Sequence, residues 1–143
     1  GCANLQTLPK GLKNLIILHD FEINTTQAVL PENEIANLNS LQYLSVDFCH
    51  NVKSLYSAIE FPILRTLDLS NCTGLESLPL DSKHFPALEY LCVKKCAKLE
   101  LFRGHEDQNL NLKLKTIRFV YLPQLGILPD WFQDLSLIVE CPF

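Results

Sequence analysis

Six cysteines (Cys2, Cys49, Cys72, Cys92, Cys96 and Cys141) and the histidines His50, His84 and His105 are the residues of this 143-residue chain best suited to chemistry. Thiols and imidazoles together can hold zinc, which needs four convergent ligands. Cys92 and Cys96 form the one close cysteine pair, His50 and His84 have no matching cysteine cluster, and His105 lies in a polar stretch. No metal centre is expected. Asp47 with His50, and His105 with Glu106 and Asp107, are near enough in sequence for acid-base work, yet each reads more simply as a solvated turn or loop. No GxxxxGKS, GxGxxG or GxSxG string occurs, and the five glycines are scattered, so a phosphate-cradling loop is missing. The chain reads as non-enzymatic and without a cofactor.

The elements that position these residues follow from a period. Leucine makes 28 of the 143 residues, which prompts a test for internal repeats. The template LxxLxLxxCxxL fits Leu41, Leu44, Val46, Cys49, Val52, Leu55, and again Leu64, Leu67, Leu69, Cys72, Leu75, Leu78. Two further copies are Leu88, Leu91, Val93, Cys96, Leu99, Phe102, and Leu114, Ile117, Phe119, Leu122, Leu125, Leu128, the last with Leu122 in place of cysteine. A weaker copy begins Leu18, Phe21, Ile23 and continues through Thr26 and Val29; Cys2, Leu5, Leu8 and Pro9 match the second half of a unit. Near the end, Leu135, Ile138, Cys141 and Phe143 suggest a shortened last strand or a truncation.

In TLDLS, Leu67 and Leu69 alternate with Thr66, Asp68 and Ser70, so a strand buries its leucines on one side and shows polar residues on the other. One such strand cannot bury its apolar side alone. Stacked at roughly 4.8 Å per repeat, about six form a parallel sheet on the concave wall of a curved solenoid, with the other leucines behind it. Pro9, Pro31, Pro62, Pro79, Pro86 and Pro129 break the return segments, which leaves an irregular convex side with one short helix expected at Glu32 to Leu38. Cys2, Cys49, Cys72 and Cys96 share the turn after the strand and are expected to pack as small buried groups. Cys92, between inward Leu91 and Val93, is expected on the concave side and is the candidate for an exposed thiol.

This period and pattern resemble the leucine-rich repeat, an α/β horseshoe solenoid. More narrowly, GCANLQTLP, NCTGLESLP and PQLGILPDWF look like the C-terminal repeats of plant intracellular nucleotide-binding leucine-rich-repeat immune receptors. The resemblance implies a cytoplasmic protein-recognition module for a pathogen effector or a guarded host protein. It also implies an upstream nucleotide-binding domain that the segment helps to hold inactive. The chain lacks methionine and opens mid-pattern, so it is expected to be one leucine-rich-repeat domain, residues 1–143, cut from a longer solenoid. The formal net charge of −4 argues against a nucleic-acid partner, and no apolar run is long enough to span a membrane. Two competing classes are a secreted or cell-surface leucine-rich-repeat protein, acting as ligand receptor or enzyme inhibitor, and the substrate-binding part of a ubiquitin-ligase receptor. The sequons Asn24-Thr25-Thr26 and Asn71-Cys72-Thr73 suit the first, but its LxGxIP return pattern is absent; the ITDxxL return of the second is replaced by proline.

The partner-binding surface is expected on the concave face. It comprises Asp20, Glu22 and Asn24; Tyr43, Ser45 and Asp47; Thr66, Asp68 and Ser70; Tyr90, Cys92 and Lys94; and Thr116, Arg118 and Val120. Within it Asp20, Glu22, Tyr43, Asp47, Asp68, Tyr90, Lys94 and Arg118 are the candidate contact residues. Acids fall in the first three repeats and Lys94, Lys95 and Arg118 in the last two, with Tyr43, Tyr90 and Tyr121 interleaved. Aromatic anchors in a charged rim suit a protein interface. Reversing Asp47 and Asp68 to Lys is expected to weaken partner binding without lowering the melting temperature. The polar segment Arg103 to Asn109 reads as an inserted surface loop, and Trp131 with Phe132 as a cover over the core.

Overall fold

The computed structural model describes residues 10–24, 32–35, 38–55, 59–102, 112–134 and 136–140. Six strands, β1 (Asp20–Ile23), β2 (Tyr43–Asp47), β3 (Thr66–Ser70), β4 (Tyr90–Lys94), β5 (Thr116–Val120) and β6 (Ser136–Glu140), pair in chain order as one parallel sheet. Leu44, Leu67, Leu91 and Ile117 stand opposite one another, as do Val46, Leu69, Val93 and Phe119. All eight are buried. A one-residue slip would turn these rows outward, and the cost of exposing that apolar surface fixes the register.

Each unit is tied to the next beyond the strands. At strand entry, Thr66 and Arg65 both donate backbone N–H groups to the Gln42 carbonyl, as Tyr90 and Glu89 do to Arg65 and Thr116 and Lys115 to Glu89. At strand exit, Phe48 N–H donates to Ser70 O (3.1 Å), Asn71 to Lys94 O (2.9 Å) and Lys95 to Val120 O (2.8 Å). The cysteine ladder adds another link. The Cys72 thiol donates to Val46 O at 3.4 Å and the Cys96 thiol to Leu69 O at 3.8 Å, each reaching the preceding repeat's strand. Cys49, Cys72 and Cys96 are buried thiols. Hydrogen bonding with Cys49, the largest single influence, lowers the Cys72 thiol, but contact with Cys96 and burial together outweigh it and push the thiol up to about 12. It is therefore neutral packing material.

Behind the sheet, Phe61 and Phe85 stack with ring centroids 5.6 Å apart and planes 4° from parallel. Towards the last repeat Phe102 meets Phe132 at 5.1 Å, and both contact Phe119. Phe132 is buried, in agreement with a core-covering role.

Four expectations change. The short helix α1 covers Glu32–Ile35 and is over before Leu38, whose N–H bonds back to Ile35 O at 2.9 Å. The last strand is a full five residues, and its register is one residue from that suggested by Leu135 and Ile138: Leu137 stands opposite Ile117 and Val139 opposite Phe119. Cys92 is buried, as taken up below. Lys95 and Tyr121 lie past the strands and off the sheet face, in the left-handed backbone region at φ 52° and 53°, with Phe48 and Asn71 at the same repeat position at 53°. That conformation costs a side chain with a β-carbon roughly 1–2 kcal/mol, less for Asn. Residues 1–9, 25–31 and 103–111, and with them Cys2, the Thr26 to Val29 pattern and the polar insertion, lie outside the described residues, as do Leu135, Cys141 and Phe143.

Candidate functional site: the open face of the sheet

The strand pleat sends alternate residues to the solvent side, and the register collects the candidate residues into three rows there. The first row runs Asp20, Tyr43, Thr66, Tyr90, Thr116; the second Glu22, Ser45, Asp68, Cys92, Arg118; the third Asp47, Ser70, Lys94, Val120. All eight candidates, from Asp20 to Arg118, thus stand in adjacent rows. Asn24 falls one residue past β1. The sixth strand extends the rows, setting Ile138 opposite Arg118 and Glu140 opposite Val120. By register, an acidic residue returns beyond the basic end.

Asp20 and Glu22 are exposed, whereas the candidates from Tyr43 to Arg118 are half-buried. Two of the acids are engaged locally. Asp47 Oδ1 accepts a bond from Asn71 Nδ2 at 3.0 Å, and Asp68 Oδ1 accepts one from the Ser70 hydroxyl at 2.8 Å while Oδ2 lies 4.0 Å from Lys94 Nζ. The acidic and basic ends therefore meet across β3 and β4. Charge reversal at Asp47 and Asp68 would also remove these bonds, so the expectation of an unaltered melting temperature is revised to a modest fall.

Cys92 occupies the middle of the second row, between Asp68 and Arg118, but only 1% of its surface reaches solvent. Longer side chains in the flanking strands close over a short one. Burial first, and then the Asp68 carboxylate, push its thiol above the ordinary value, with Lys94 and Arg118 opposing. This is the opposite of an activated nucleophile. Tyr90 beside it is also raised, by burial and then by Cys92.

Two flanking columns stand beside the rows, and of their members the sequence singles out only Lys95 and Tyr121 as parts of the binding surface. On the strand-entry side Glu89 bridges Arg65 (3.2 Å) and Lys115 (2.8 Å), and the Lys115 hydrogen bond leads in holding its carboxyl below the usual range. These residues hold one repeat position, so aligning the repeats and reading down each column would have found them. On the strand-exit side Phe48, Asn71, Lys95 and Tyr121 form a second column, with Phe48 and Tyr121 each 48% exposed. Among the described residues no group of three or more His, Cys, Asp or Glu is placed to hold a metal ion, and no helix is long and apolar enough to cross a membrane.

The in-register stack of similar strand-and-turn units is a leucine-rich-repeat solenoid. A solved structure, the leucine-rich repeat domain of the type III effector XopL, superposes with a TM-score of 0.50 over 96% of this chain and 65% of its own at 20% identity, a likeness of fold. No family model matches. In sequence the chain is 32% identical over 96% of its length to a probable disease resistance protein of Arabidopsis thaliana. It is 28% identical over 82% to a putative disease resistance RPP13-like protein, and 32% over 62% to the protein SUPPRESSOR OF npr1-1, CONSTITUTIVE 1, both from the same plant. The chain spans 8%, 12% and 6% of the lengths of these relatives. It is a leucine-rich-repeat region of the plant disease resistance type, and such a region is a protein-recognition module.

Proposed function

We propose that the chain is one domain of a longer intracellular immune receptor, and that the open sheet face contacts a pathogen effector or a guarded host protein. The same region helps to hold the receptor's nucleotide-binding domain inactive. The observation that carries this reading is the convergence of Asp20, Glu22, Tyr43, Asp47, Asp68, Tyr90, Lys94 and Arg118 into three neighbouring rows, with aromatic rings among both signs of charge. Such a surface orients a partner by complementary charge and anchors it through the tyrosines.

Switching then requires a difference in affinity. A partner that takes the face only after the nucleotide-binding domain has left it draws the receptor towards the released state. The test uses the full-length receptor in leaf tissue with Asp20→Lys and Glu22→Lys, two exposed positions whose change leaves the core intact. Its nucleotide-binding segment, supplied as a separate tagged polypeptide, is co-precipitated, and the cell-death response is scored with and without pathogen challenge. The expected result is at least tenfold weaker recovery, with either response in the absence of challenge or loss of response to it. Unaltered recovery together with an unaltered response overturns the reading.

A further inference from the structure

The strand-exit flank has a feature that the open-face reading does not use. Phe48, Asn71, Lys95 and Tyr121, with His50, Thr73 and Ala97 one short turn further on, line a mostly apolar groove of about 350 Å³. We infer that this groove is a second recognition site, which takes an extended segment of a partner protein carrying a carboxylate between apolar side chains. It stands apart from the open face and does not depend on the role proposed for it.

Shape comes first. The aromatic rings close the two ends, three repeats apart, which at about 4.8 Å per strand is roughly 14 Å. An extended chain rises about 3.3 Å per residue, so about four residues bridge them. Between them the lining includes the short side chains Asn71, Thr73 and Ala97. That length and volume suit a half-sunk extended chain.

Chemistry comes second. Lys95 is exposed and lines the trough, whose surface is almost wholly apolar, and none of the described lining residues is acidic. That is one-signed complementarity for a carboxylate, in a protein whose overall charge is negative. A polar depression of about 650 Å³ continues the flank through Ala97, but it mixes Lys98 with Glu76 and Glu100 and so favours neither sign. The backbone N–H groups of Phe48, Asn71 and Lys95 are bonded to the next repeat, so the groove reads its ligand through side chains and not by adding a strand.

Organisation comes third. His50 Nδ1 lies 2.9 Å from the Thr73 hydroxyl, and the imidazole it fixes meets the Phe48 ring edge-on at 5.9 Å and 80°. The ring is held before any ligand arrives, which lowers the entropy lost on binding. Phe48 and Tyr121 also occupy a left-handed position at which Asn71 is the comfortable residue. Neither aromatic is there to suit the backbone.

The test pans a random dodecapeptide display library on the whole 143-residue chain, with counter-selection on the Phe48→Asn, Tyr121→Asn double variant. Because Asn suits the left-handed backbone, that variant should melt at or above the wild-type temperature. Recovered peptides are then synthesised with capped ends and titrated. They should share an Asp or Glu with apolar residues three or four positions apart. They should lose at least tenfold in affinity against Lys95→Glu and keep their affinity against Glu22→Lys on the open face. Peptides without an acidic preference, peptides bound equally by Lys95→Glu, or failure to recover any peptide through counter-selection overturns the inference. A lowered melting temperature of the double variant does so too, since the rings would then be structural.

Discussion

The open face and the strand-exit flank are built from the same repeats but differ in what their side chains do for the fold. On the open face, charges meet across strands: Asp68 faces Lys94, Ser70 bonds Asp68, and Asn71 reaches back to Asp47. Tyr90, Lys94 and Arg118 stand around a buried thiol at Cys92. Much of that surface is already engaged within the domain, so a partner must compete with internal bonds. On the flank the backbone is satisfied while two large rings are held half in solvent on a costly left-handed turn. Polar residues on a sheet face are required for solubility whether or not anything binds there. Exposed aromatics on strained backbone have no such default explanation, and so are the stronger sign of recognition.

Removing the support of each region in turn tests how separate they are. Leu67, fully buried beneath β3, underlies the open face, and Leu67→Ala should cost about 2–5 kcal/mol through lost burial and a residual cavity. For a chain of this size that is a fall in melting temperature on the order of 10 °C. Gly74 underlies the flank, where a β-carbon would overlap the His50 carbonyl. Gly74→Ala should cost about 3 kcal/mol, the upper part of the usual range for overpacking against atoms that cannot move aside. It should also disturb the His50 to Thr73 bond and with it the Phe48 ring. Urea unfolding gives both costs, and a nuclear magnetic resonance map gives their reach. The two regions are independent if the Gly74 variant shifts resonances around Phe48 and Lys95 while those of Tyr43 and Thr116 stay in place. A Gly74 variant as stable as wild type would show that the turns are looser than their packing implies.

The strands β2 to β5 were legible because their apolar residues alternate with polar ones, and because a fixed spacing carries that alternation from one unit to the next. The same signal fails at β6. Leu137, Ile138 and Val139 are all apolar, so a period of two has no phase there, and pairing with Ile117 and Phe119 sets the register instead. The burial of Cys92 was not legible, because it is decided by the lengths of side chains in the neighbouring strands. Phe61 and Phe85 were within reach, since each begins an F-P-x-L string, but the leucine template has no place for them. The flank groove is the least legible feature. Phe, Lys and Tyr do not announce a positive φ, and only the repeated turn imposes it on Phe48, Lys95 and Tyr121.

The smallest predicted effect separates the two regions by pH. Cys92 and Tyr90 are held above their ordinary values by burial on the open face. A thiol or phenol raised in the folded state is neutral in both states below its unfolded pKa, about 8.5 for Cys and 10 for Tyr. Its contribution to stability is therefore fully present at neutral pH. As pH climbs past the unfolded value, the unfolded chain loses the proton while the folded chain keeps it, and stability drains until the folded group ionises as well. Urea midpoints should thus fall between pH 7.5 and 9.5, and the fall should be shallower in Cys92→Ala. An alkylating probe should leave Cys92 unmodified at pH 8.5 until the chain is unfolded. Rapid labelling of native Cys92, with an unchanged alkaline slope in Cys92→Ala, would mean that the side chains around it open readily. The open face would then be as available to a partner as the flank, and the contrast between them would be lost.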